Sequence, residues 1–466
     1  MAQLRDSIFE ALEAIVGAGK VLCDVESLAR YGTDWTKVFT PNPSAVVLPT
    51  TIEQVQDVVR LANREALAIV PSGGRTGLSA GAVAYRGELV LAMDNLNTLN
   101  DFNTIDRTVR CGAGVITQTL QEFAQEQDLF YPVDFASSGS SQIGGNISTN
   151  AGGIKVIRHG MTRDWVAGVK LVTGTGELLD LNRGLKKNNA GYDLRQLVIG
   201  AEGTLGVVVE ATMQLTRPPG DLAVMVLGVS DMAAIMSVLS AFQATMELSA
   251  FEFFSELALE KVVAHQGLQR PFETSAPYYA LVEFDQGISG EMDKAMECFE
   301  HCLESGWVLD GVVSQSLSQS RDLWRLREDI SETISAWTPY KNDISTVISS
   351  VPEFLSEVES VVNDAYPDFE IVWFGHIGDG NVHLNVLKPD SLSMDEFQQR
   401  CGKVSKWVFE IVQRYGGSVS AEHGVGLLKK EYLPYSRSEL EIQLMRQIKL
   451  AFDPKGIMNP GKIFDL

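Results

Sequence analysis

The sequence predicts an α+β protein in which an α/β domain precedes a second domain built on a sheet covered by helices on one face. Before residue 217, short apolar runs such as SAVVLP and ELVLAM alternate with helical patterns such as TIEQVQDVVRLANREA. The run RPPG, which includes Pro218, Pro219 and Gly220, interrupts this alternation and marks a domain boundary. After it, a β-α-β-β-α order appears about twice, which is typical of a duplicated ferredoxin-like unit.

The individual elements follow from the period of their apolar residues. Residues 1–40 have the pattern of a helical arm, and residues 166–182 that of a hairpin with a Gly-Thr-Gly turn. Further strands are predicted in the first domain at LAIVPSGG, TVRCGAG and GVVVEATMQLT. In the second domain, strands are predicted at LAVMVLGV, SAFEFF, YYALVEF, WVLDGVV, ISTVISSV, FEIVWFGH and VHLNVLKP. Helices are predicted over residues 231–246, 290–304, 321–336, 352–365 and 394–415, and residues 438–466 form a helix and a tail.

Composition and charge narrow the classes of function. The 466 residues are 45% hydrophobic and 21% charged, as in ordinary globular proteins. A formal net charge of -22 makes nucleic acid and anionic membrane surfaces poor partners. The most apolar stretch, LAVMVLGVSDMAAIMSVLSAFQATM, contains Asp231 and predicts a strand and a buried helix instead of a membrane span.

Cysteine usage indicates a reducing compartment. The five cysteines contain no CxxC pair, which excludes an iron–sulfur cluster and a cysteine zinc site. Their odd number and wide spacing suit the cytoplasm. The N-terminal run MAQLRDSIFE carries charges where a signal peptide needs an apolar core. We therefore expect a cytoplasmic protein.

Two of the six histidines lie in the segment GHIGDGNVHLN. A hairpin with a four-residue turn at residues 378–381 would place His376 directly opposite His383, with Cβ atoms about 5 Å apart. Asn385, two residues further on, would join the same face. Two imidazoles at this separation can hold one metal ion.

The segment SVSAEHGVG offers a third ligand. Two histidines and the carboxylate of Glu422 form a catalytic zinc set with one open position, and the same set suits Fe²⁺ or Mn²⁺. Adjacent residues seldom both reach one ion. His423 is therefore either the third ligand in place of Glu422 or a base beside the metal.

Three glycine-rich loops predict a long cofactor that lies against the backbone. They are PSGGRTGLSAG, SSGSSQIGGNISTNAGG and GAEGTLGVV. None matches GxGxxG or GxxxxGK[ST], so the common dinucleotide and P-loop signatures are absent. Exposed backbone N–H groups, together with the charge of Arg75, suit a pyrophosphate.

These motifs, with NPGK, occur in an order that resembles the flavoprotein family of the vanillyl-alcohol oxidase and p-cresol methylhydroxylase (PCMH) type. Within it, the chain is most similar to the bacterial D-2-hydroxyglutarate dehydrogenases. The resemblance implies a helical arm at 1–37 and a two-subdomain α/β PCMH-type FAD domain at 38–217. A cap domain with an antiparallel sheet and the metal site would span 218–437, and residues 438–466 would return to the FAD domain. Because neither His nor Cys lies near Arg75 in the first loop, we expect non-covalent FAD.

The resemblance also implies which residues contact FAD. These are Pro71, Ser72, Gly73, Gly74, Arg75, Thr76, Gly77, Ser79, Ser138, Gly139, Gly144, Gly145, Asn146, Ser148, Thr149, Asn150, Glu202, Gly203, Gly206, Val207 and Asn459.

For the chemistry, the resemblance implies Zn²⁺ at His376, His383 and Glu422, with Mn²⁺ or Fe²⁺ as alternatives. Zinc would acidify the 2-hydroxyl, His423 would bind the substrate and take the proton, and hydride would pass to the flavin. Asn385, Arg327, Ser331 and Lys341 would bind the substrate. Arg327 and Ser331, at i and i+4, are expected to share one helix face.

Two cations exceed what one carboxylate requires, which favours D-2-hydroxyglutarate, with D-malate as a slower substrate. The alternative is a D-lactate or glycolate dehydrogenase of the same family. The resemblance implies reoxidation by electron-transfer flavoprotein or a quinone-linked chain. The oligomeric state stays open, with a homodimer as one option. A metal-dependent hydrolase leaves the glycine loops unexplained, and a non-catalytic flavin carrier leaves the metal ligands unexplained.

Overall fold

The computed structural model describes residues 4–466 and divides them into two compact units. The first unit contains residues 4–153, 160–218 and 422–466, and the second contains residues 154–159 and 219–421. The α+β prediction is confirmed. The chain re-enters the first unit at Glu422, earlier than the predicted start at residue 438. The excursion of residues 154–159 into the second unit was not predicted.

The strands, numbered along the chain, are β1 Val21–Leu22, β2 Ala45–Val47, β3 Ile69–Ser72, β4 Leu89–Ala92, β5 Leu99–Asn103, β6 Thr108–Gly112, β7 Val166–Thr173, β8 Leu178–Leu181, β9 Gly206–Gln214, β10 Leu222–Val229, β11 Leu248–Ser255, β12 Tyr278–Asp285, β13 Val308–Val313, β14 Tyr340–Ser345, β15 Ile371–Gly375 and β16 Asn381–Val386.

The α-helices are α1 Asp6–Val16, α2 Val25–Tyr31, α3 Ile52–Glu65, α4 Thr117–Glu126, α5 Ile143–Thr149, α6 Val156–His159, α7 Thr162–Trp165, α8 Arg195–Val198, α9 Met232–Thr245, α10 Glu256–Gln266, α11 Glu291–Glu304, α12 Leu317–Glu328, α13 Ile330–Thr333, α14 Val351–Ala365, α15 Met394–Arg414 and α16 Glu439–Phe452. Short 3-10 helices lie at Ile334–Trp337, Ile348–Ser350, Ile377–Asp379 and Lys430–Tyr435.

The first unit contains two sheets. In one, β2, β4 and β3 are parallel, and β1 adds to the edge antiparallel to β2. In the other, five antiparallel strands follow the order β5-β6-β9-β7-β8. The segment predicted as a helical arm therefore also supplies a strand, whose two residues are too few to show a period in the sequence.

Helix α3 shows how local sequence fixes an element of the first unit. The Thr51 side chain accepts a hydrogen bond from the N–H of Gln54 and so caps the first turn. The helix ends at Ala66, whose backbone is left-handed at φ 54°. Its apolar side chains recur every three or four residues on one face, which packs in the core of the unit, and they include Val55, Val58, Val59 and Ala62.

The second unit is built on a seven-stranded antiparallel sheet of order β13-β10-β12-β11-β15-β16-β14. All eight residues of β11 are buried, so this central strand is covered on both sides. The prediction that only one face would be covered is wrong for the centre of the sheet. Helices α10, α12 and α13 contribute to the core cluster of this unit with β10, β11 and β12.

Several predicted elements differ from the structure. The strand predicted at residues 344–351 is β14, which ends at Ser345 and is followed by a 3-10 helix. The helix predicted over 321–336 is divided at Asp329 into α12 and α13. The second glycine-rich loop contains α5, and α10 was not predicted. No helix within residues 4–466 is both long and apolar enough to span a membrane.

Candidate active site

A cleft in the first unit is lined by residues of all three glycine-rich motifs. Most of the predicted FAD contacts line this cleft, and Asn459 is one of them. Four predicted contacts do not line it, namely Ser138, Gly139, Asn150 and Gly206. The structure adds Gly81, Ala82, Met93, Gln142 and Val208. Met93 directly follows strand β4, and Val208 lies within strand β9. Because both are apolar residues of the kind that strands normally contain, the sequence gave no sign that they contact a ligand.

The glycines of this cleft allow one backbone segment to approach another closely. A Cβ atom on Gly74 would lie 2.2 Å from the carbonyl oxygen of Ser140, which no side chain can accept without a backbone shift. The next residue, Arg75, has left-handed backbone geometry at φ 61°. At Gly74 the wall of the cleft is therefore formed by backbone.

The guanidinium of Arg75 does not supply the cleft with an uncompensated positive charge. It forms an ion pair with Asp94, with Nη2 3.0 Å from Oδ1, and it lies over the ring of Tyr31 at 4.6 Å from the centroid. Because a carboxylate already neutralises this charge, the backbone N–H groups are the groups left for a pyrophosphate.

Two buried oxygen atoms of the cleft residues fit a ligand that donates hydrogen bonds. Oε1 of Gln142 and Oδ1 of Asn459 have no hydrogen-bond partner within residues 4–466. The amide nitrogen of Asn459 donates to the carbonyls of Gly81 and Glu202, so its orientation is fixed. Buried polar atoms normally have partners, and FAD supplies N–H and O–H donors along its length. The cleft thus fits FAD.

The carboxylate of Glu202 holds another segment of the first unit. Its two oxygens accept hydrogen bonds from the N–H groups of Val425 and Gly426 at 2.7 and 2.8 Å. Burial raises the pKa of Glu202 above its ordinary value, and these two donors oppose that effect. The glycine-rich loop that follows His423 is therefore anchored to a residue predicted only as an FAD contact.

In the second unit, His376 and His383 lie close together, with ring centroids 5.5 Å apart. The predicted register is wrong, because Phe374 and not His376 lies opposite His383. A 3-10 helix at Ile377–Asp379 lengthens the connection, so the two imidazoles are diagonal neighbours. Asn385 is buried and donates to the carbonyls of His383 and Val372.

The carboxylate of Glu252 in β11 contacts His376, which the sequence did not predict. Oε1 lies 2.8 Å from Nδ1 of His376, and Oε2 lies 2.8 Å from Nη2 of Arg327. Burial acts to raise the pKa of Glu252, but His376 and Arg327 outweigh it and hold the pKa below its ordinary value. A single carboxylate within the apolar run SAFEFF is the signal that could have identified it.

This arrangement fits a metal ion. Nδ1 of His376 is bonded to a carboxylate, which places the lone pair of a neutral ring on Nε2, and metal-binding histidines commonly have such a partner. Nδ1 of His383 lies 3.8 Å from Oδ1 of Asp343, too far for a hydrogen bond.

Glu422 stands where the chain leaves the second unit. The preceding residue, Ala421, donates its backbone N–H to the carbonyl of Asp343, the residue that lies opposite His383 in the sheet. This hydrogen bond fixes the backbone of Ala421 and therefore the backbone position of the next residue, Glu422. Oε1 of Glu422 lies 3.2 Å from Nε2 of His423, so these adjacent side chains contact each other.

The predicted substrate-binding residues of the second unit form two groups. Nζ of Lys341 donates to Oγ of Ser331 at 3.0 Å, and Lys341 lies opposite Asn385 in the sheet. Partial desolvation lowers the pKa of Lys341 from its ordinary value, while the residue stays exposed. Arg327 pairs with Glu252 instead, and Asp329 lies between its helix and that of Ser331.

The first unit has a glycine-lined cleft that fits FAD, and the second unit carries paired histidines and basic side chains. This combination is typical of flavin-linked oxidoreductases. Two family models match this chain: "FAD binding domain" over residues 43–182 and "FAD linked oxidases, C-terminal domain" over residues 219–463. The chain belongs to the FAD-linked oxidase family.

Individual relatives cover nearly the whole chain. A D-2-hydroxyglutarate dehydrogenase of Stutzerimonas stutzeri is 61% identical over 98% of this chain and 99% of the relative. One of Xanthomonas citri is 54% identical over 99% of this chain and 98% of the relative.

A solved structure of p-cresol methylhydroxylase with substrate bound has the same fold, with a TM-score of 0.75. It covers 99% of this chain and 98% of its own, at 17% identity. The PCMH-type fold predicted from the sequence is confirmed.

Proposed function

We propose that this protein oxidises D-2-hydroxyglutarate to 2-oxoglutarate, with FAD as the hydride acceptor and a divalent metal ion, preferably zinc, at His376, His383 and Glu422. The observation that carries the proposal is the 61% identity, over nearly the full length of both chains, to a protein named D-2-hydroxyglutarate dehydrogenase. The paired histidines and the basic side chains of the second unit support it independently.

The basic side chains account for the choice of a dicarboxylate. Lys341, already oriented by its hydrogen bond to Ser331, would bind the distal carboxylate. Arg327 would bind a second carboxylate oxygen through Nε, a buried donor that has no hydrogen-bond partner within residues 4–466. D-malate, with a shorter spacing between carboxylates, would react more slowly.

The 2-hydroxyl group would lose its proton to the imidazole of His423. The contact with Glu422 orients this ring, and the bonds from Glu202 to the backbone of Val425 and Gly426 fix the loop behind it. The amide of Asn385 is oriented by two carbonyls and would position the substrate. When bound, the metal would supply Lewis acidity at the hydroxyl oxygen and FAD would take the hydride.

We expect FAD to be bound without a covalent link, because neither His nor Cys lines the cleft within the described residues. Acid precipitation of the purified protein should release the yellow cofactor into the supernatant. Yellow colour that stays with the washed pellet would contradict this expectation.

We further propose a cytoplasmic enzyme whose reduced flavin passes electrons to electron-transfer flavoprotein or a quinone-linked chain. All five cysteines are free, which supports a reducing compartment. The choice of acceptor rests on the family resemblance.

Anaerobic reduction of the bound flavin tests the proposed activity directly. D-2-Hydroxyglutarate should bleach the visible flavin absorbance faster than D-malate, D-lactate, glycolate or L-2-hydroxyglutarate at equal concentration. Faster bleaching by D-lactate would favour the monocarboxylate alternative. No bleaching by any 2-hydroxy acid would reject the dehydrogenase proposal.

A further inference from the structure

The carboxylate of Glu252 contacts two side chains to which the proposed function gives different tasks. Its Oε1 bonds to His376, a proposed metal ligand, and its Oε2 forms an ion pair with Arg327, a proposed substrate-binding cation. Glu252 itself is only 1% exposed, so water does not compete for either oxygen. A single buried group therefore connects the metal-binding and the carboxylate-binding parts of the second unit.

We propose that Glu252 is a positioning residue, which fixes His376 in the tautomer with the proton on Nδ1 and holds Arg327 in place for the substrate. This inference rests on the proposed function. Glu252 touches neither the metal nor the substrate in this role, and acts through the two side chains that do.

The hydrogen bond to His376 decides which ring nitrogen is available. A neutral imidazole carries one proton, and a carboxylate can only accept a hydrogen bond, so the proton belongs on Nδ1. In that tautomer the ring's lone pair is on Nε2, and the negative charge behind the ring increases its basicity. Loss of such a partner typically costs about 10- to 100-fold in metal affinity.

The ion pair to Arg327 fixes the other group. Arg327 is 5% exposed, and its guanidinium lies over the ring of Phe374, 4.7 Å from the centroid. Nη2 lies 2.8 Å from Oε2 of Glu252 but outside hydrogen-bond alignment, so the attraction between the two charges holds the pair, and Nε of Arg327 has no hydrogen-bond partner within residues 4–466. Neutralising Glu252 would leave Arg327 as a buried charge without its partner.

Glu283 in the neighbouring strand β12 provides a matched control. It is also buried, at 3% exposure, and its carboxylate forms an ion pair with Lys155 and accepts a hydrogen bond from Trp324 Nε1. Glu252 lies opposite Leu281, two residues before Glu283, so both carboxylates belong to the same part of the sheet. No hydrogen bond or ion pair of Glu283 involves His376 or Arg327.

The experiment compares zinc affinity in the flavin-loaded wild type, Glu252→Gln and Glu283→Gln proteins. Each is stripped with a chelator and titrated with Zn²⁺ by equilibrium dialysis with metal analysis. Glutamine keeps the shape of glutamate but cannot be a charged acceptor toward both partners. We expect Glu252→Gln to bind Zn²⁺ about 10- to 100-fold more weakly than wild type. Glu283→Gln should stay within about twofold.

The outcomes separate this inference from the proposed function. Wild-type affinity in Glu252→Gln, or an equal loss in Glu283→Gln, overturns the positioning role while the metal site stands. Failure of the wild-type protein itself to bind Zn²⁺ overturns the metal site and the inference with it.

A second measurement needs no variant of Glu252 to fold. In zinc-loaded wild-type protein with ¹⁵N-labelled histidine, the His376 signal is assigned by its absence in His376→Ala. We expect its proton on Nδ1. A proton on Nε2 overturns the inference.

Discussion

The two units form their candidate sites from different materials. In the first unit the cleft is lined by many glycines, and at Gly74 a side chain would collide with another segment. In the second unit the site is formed by charged and aromatic side chains, each held by a partner, as Glu252 holds His376 and Ser331 holds Lys341. Backbone suits a long cofactor that stays bound, whereas oriented side chains suit a small substrate that must be recognised and released.

The largest effect is expected from a substitution that removes only the metal site. It tests whether the candidate sites of the two units function separately. His383→Ala should lower kcat/KM for D-2-hydroxyglutarate by about 10²- to 10³-fold, because a lost Lewis acid is worth several kcal/mol in the transition state. FAD content, measured from the visible absorbance per protein, should not change. Chelation of the wild type should have the same effect.

His301→Ala is the matched control, since His301 lies in the same unit but packs against Trp307. Loss of FAD from His383→Ala would show that the two sites depend on each other. Full turnover in protein verified to be free of metal would reject the metal mechanism.

The next effect concerns the distal carboxylate. Lys341→Ala should lower kcat/KM for D-2-hydroxyglutarate about 10- to 150-fold, because a charge-assisted hydrogen bond is worth roughly 1.5–3 kcal/mol. D-Lactate lacks that carboxylate, so its turnover should change much less. Steady-state kinetics with both substrates measures the difference. Equal losses for the two substrates would place Lys341 at the reacting end.

A substitution in the first unit should weaken FAD binding and leave metal binding unchanged. Gly74→Ala forces a methyl group against the backbone at Ser140, and overpacking of this kind costs about 1–3 kcal/mol. FAD affinity should fall by roughly 5- to 150-fold, while Zn²⁺ content stays at the wild-type level. In contrast, Gly402→Ala in helix α15 has no atom within 4 Å of the new Cβ and should keep its FAD. Loss of zinc in Gly74→Ala would contradict the separation of the FAD cleft from the metal site.

The smallest effect is a pH dependence confined to the dicarboxylate. Partial desolvation lowers the pKa of the exposed Lys341, and only the protonated amine binds a carboxylate strongly. KM for D-2-hydroxyglutarate should therefore rise as the pH rises through this lowered pKa, below the range of an ordinary lysine. KM for D-lactate should not follow. A parallel rise for both substrates, or the same rise in Lys341→Ala, would assign the titration to another group.

The parts of the fold that could be predicted from sequence are those specified by neighbouring residues. Strands β2, β4 and β9 and helices α3 and α9 follow from apolar period and caps. The glycine motifs indicated the cleft because each one encodes an unusual backbone approach locally.

The apolar run SAFEFF marks Glu252 as unusual, but its partners could not be predicted, because they depend on which strands are neighbours. Strand β11 pairs with β15, which brings Glu252 to a histidine 124 residues later in the chain. The register of the histidine hairpin failed for a related reason. A 3-10 helix at Ile377–Asp379 replaced the tight turn that the residue types predicted, and Phe374 took the position assigned to His376.

The first unit receives its final residues only after the whole second unit has been synthesised. Met458 forms a parallel bridge with Ile69, and the Asn459 amide bonds to the carbonyls of Gly81 and Glu202 on the cleft. Since the ribosome adds residues in order, the nascent first unit lacks these bonds while residues 219–421 are being translated. FAD therefore cannot find a finished cleft during most of translation, and cofactor loading belongs to maturation after release.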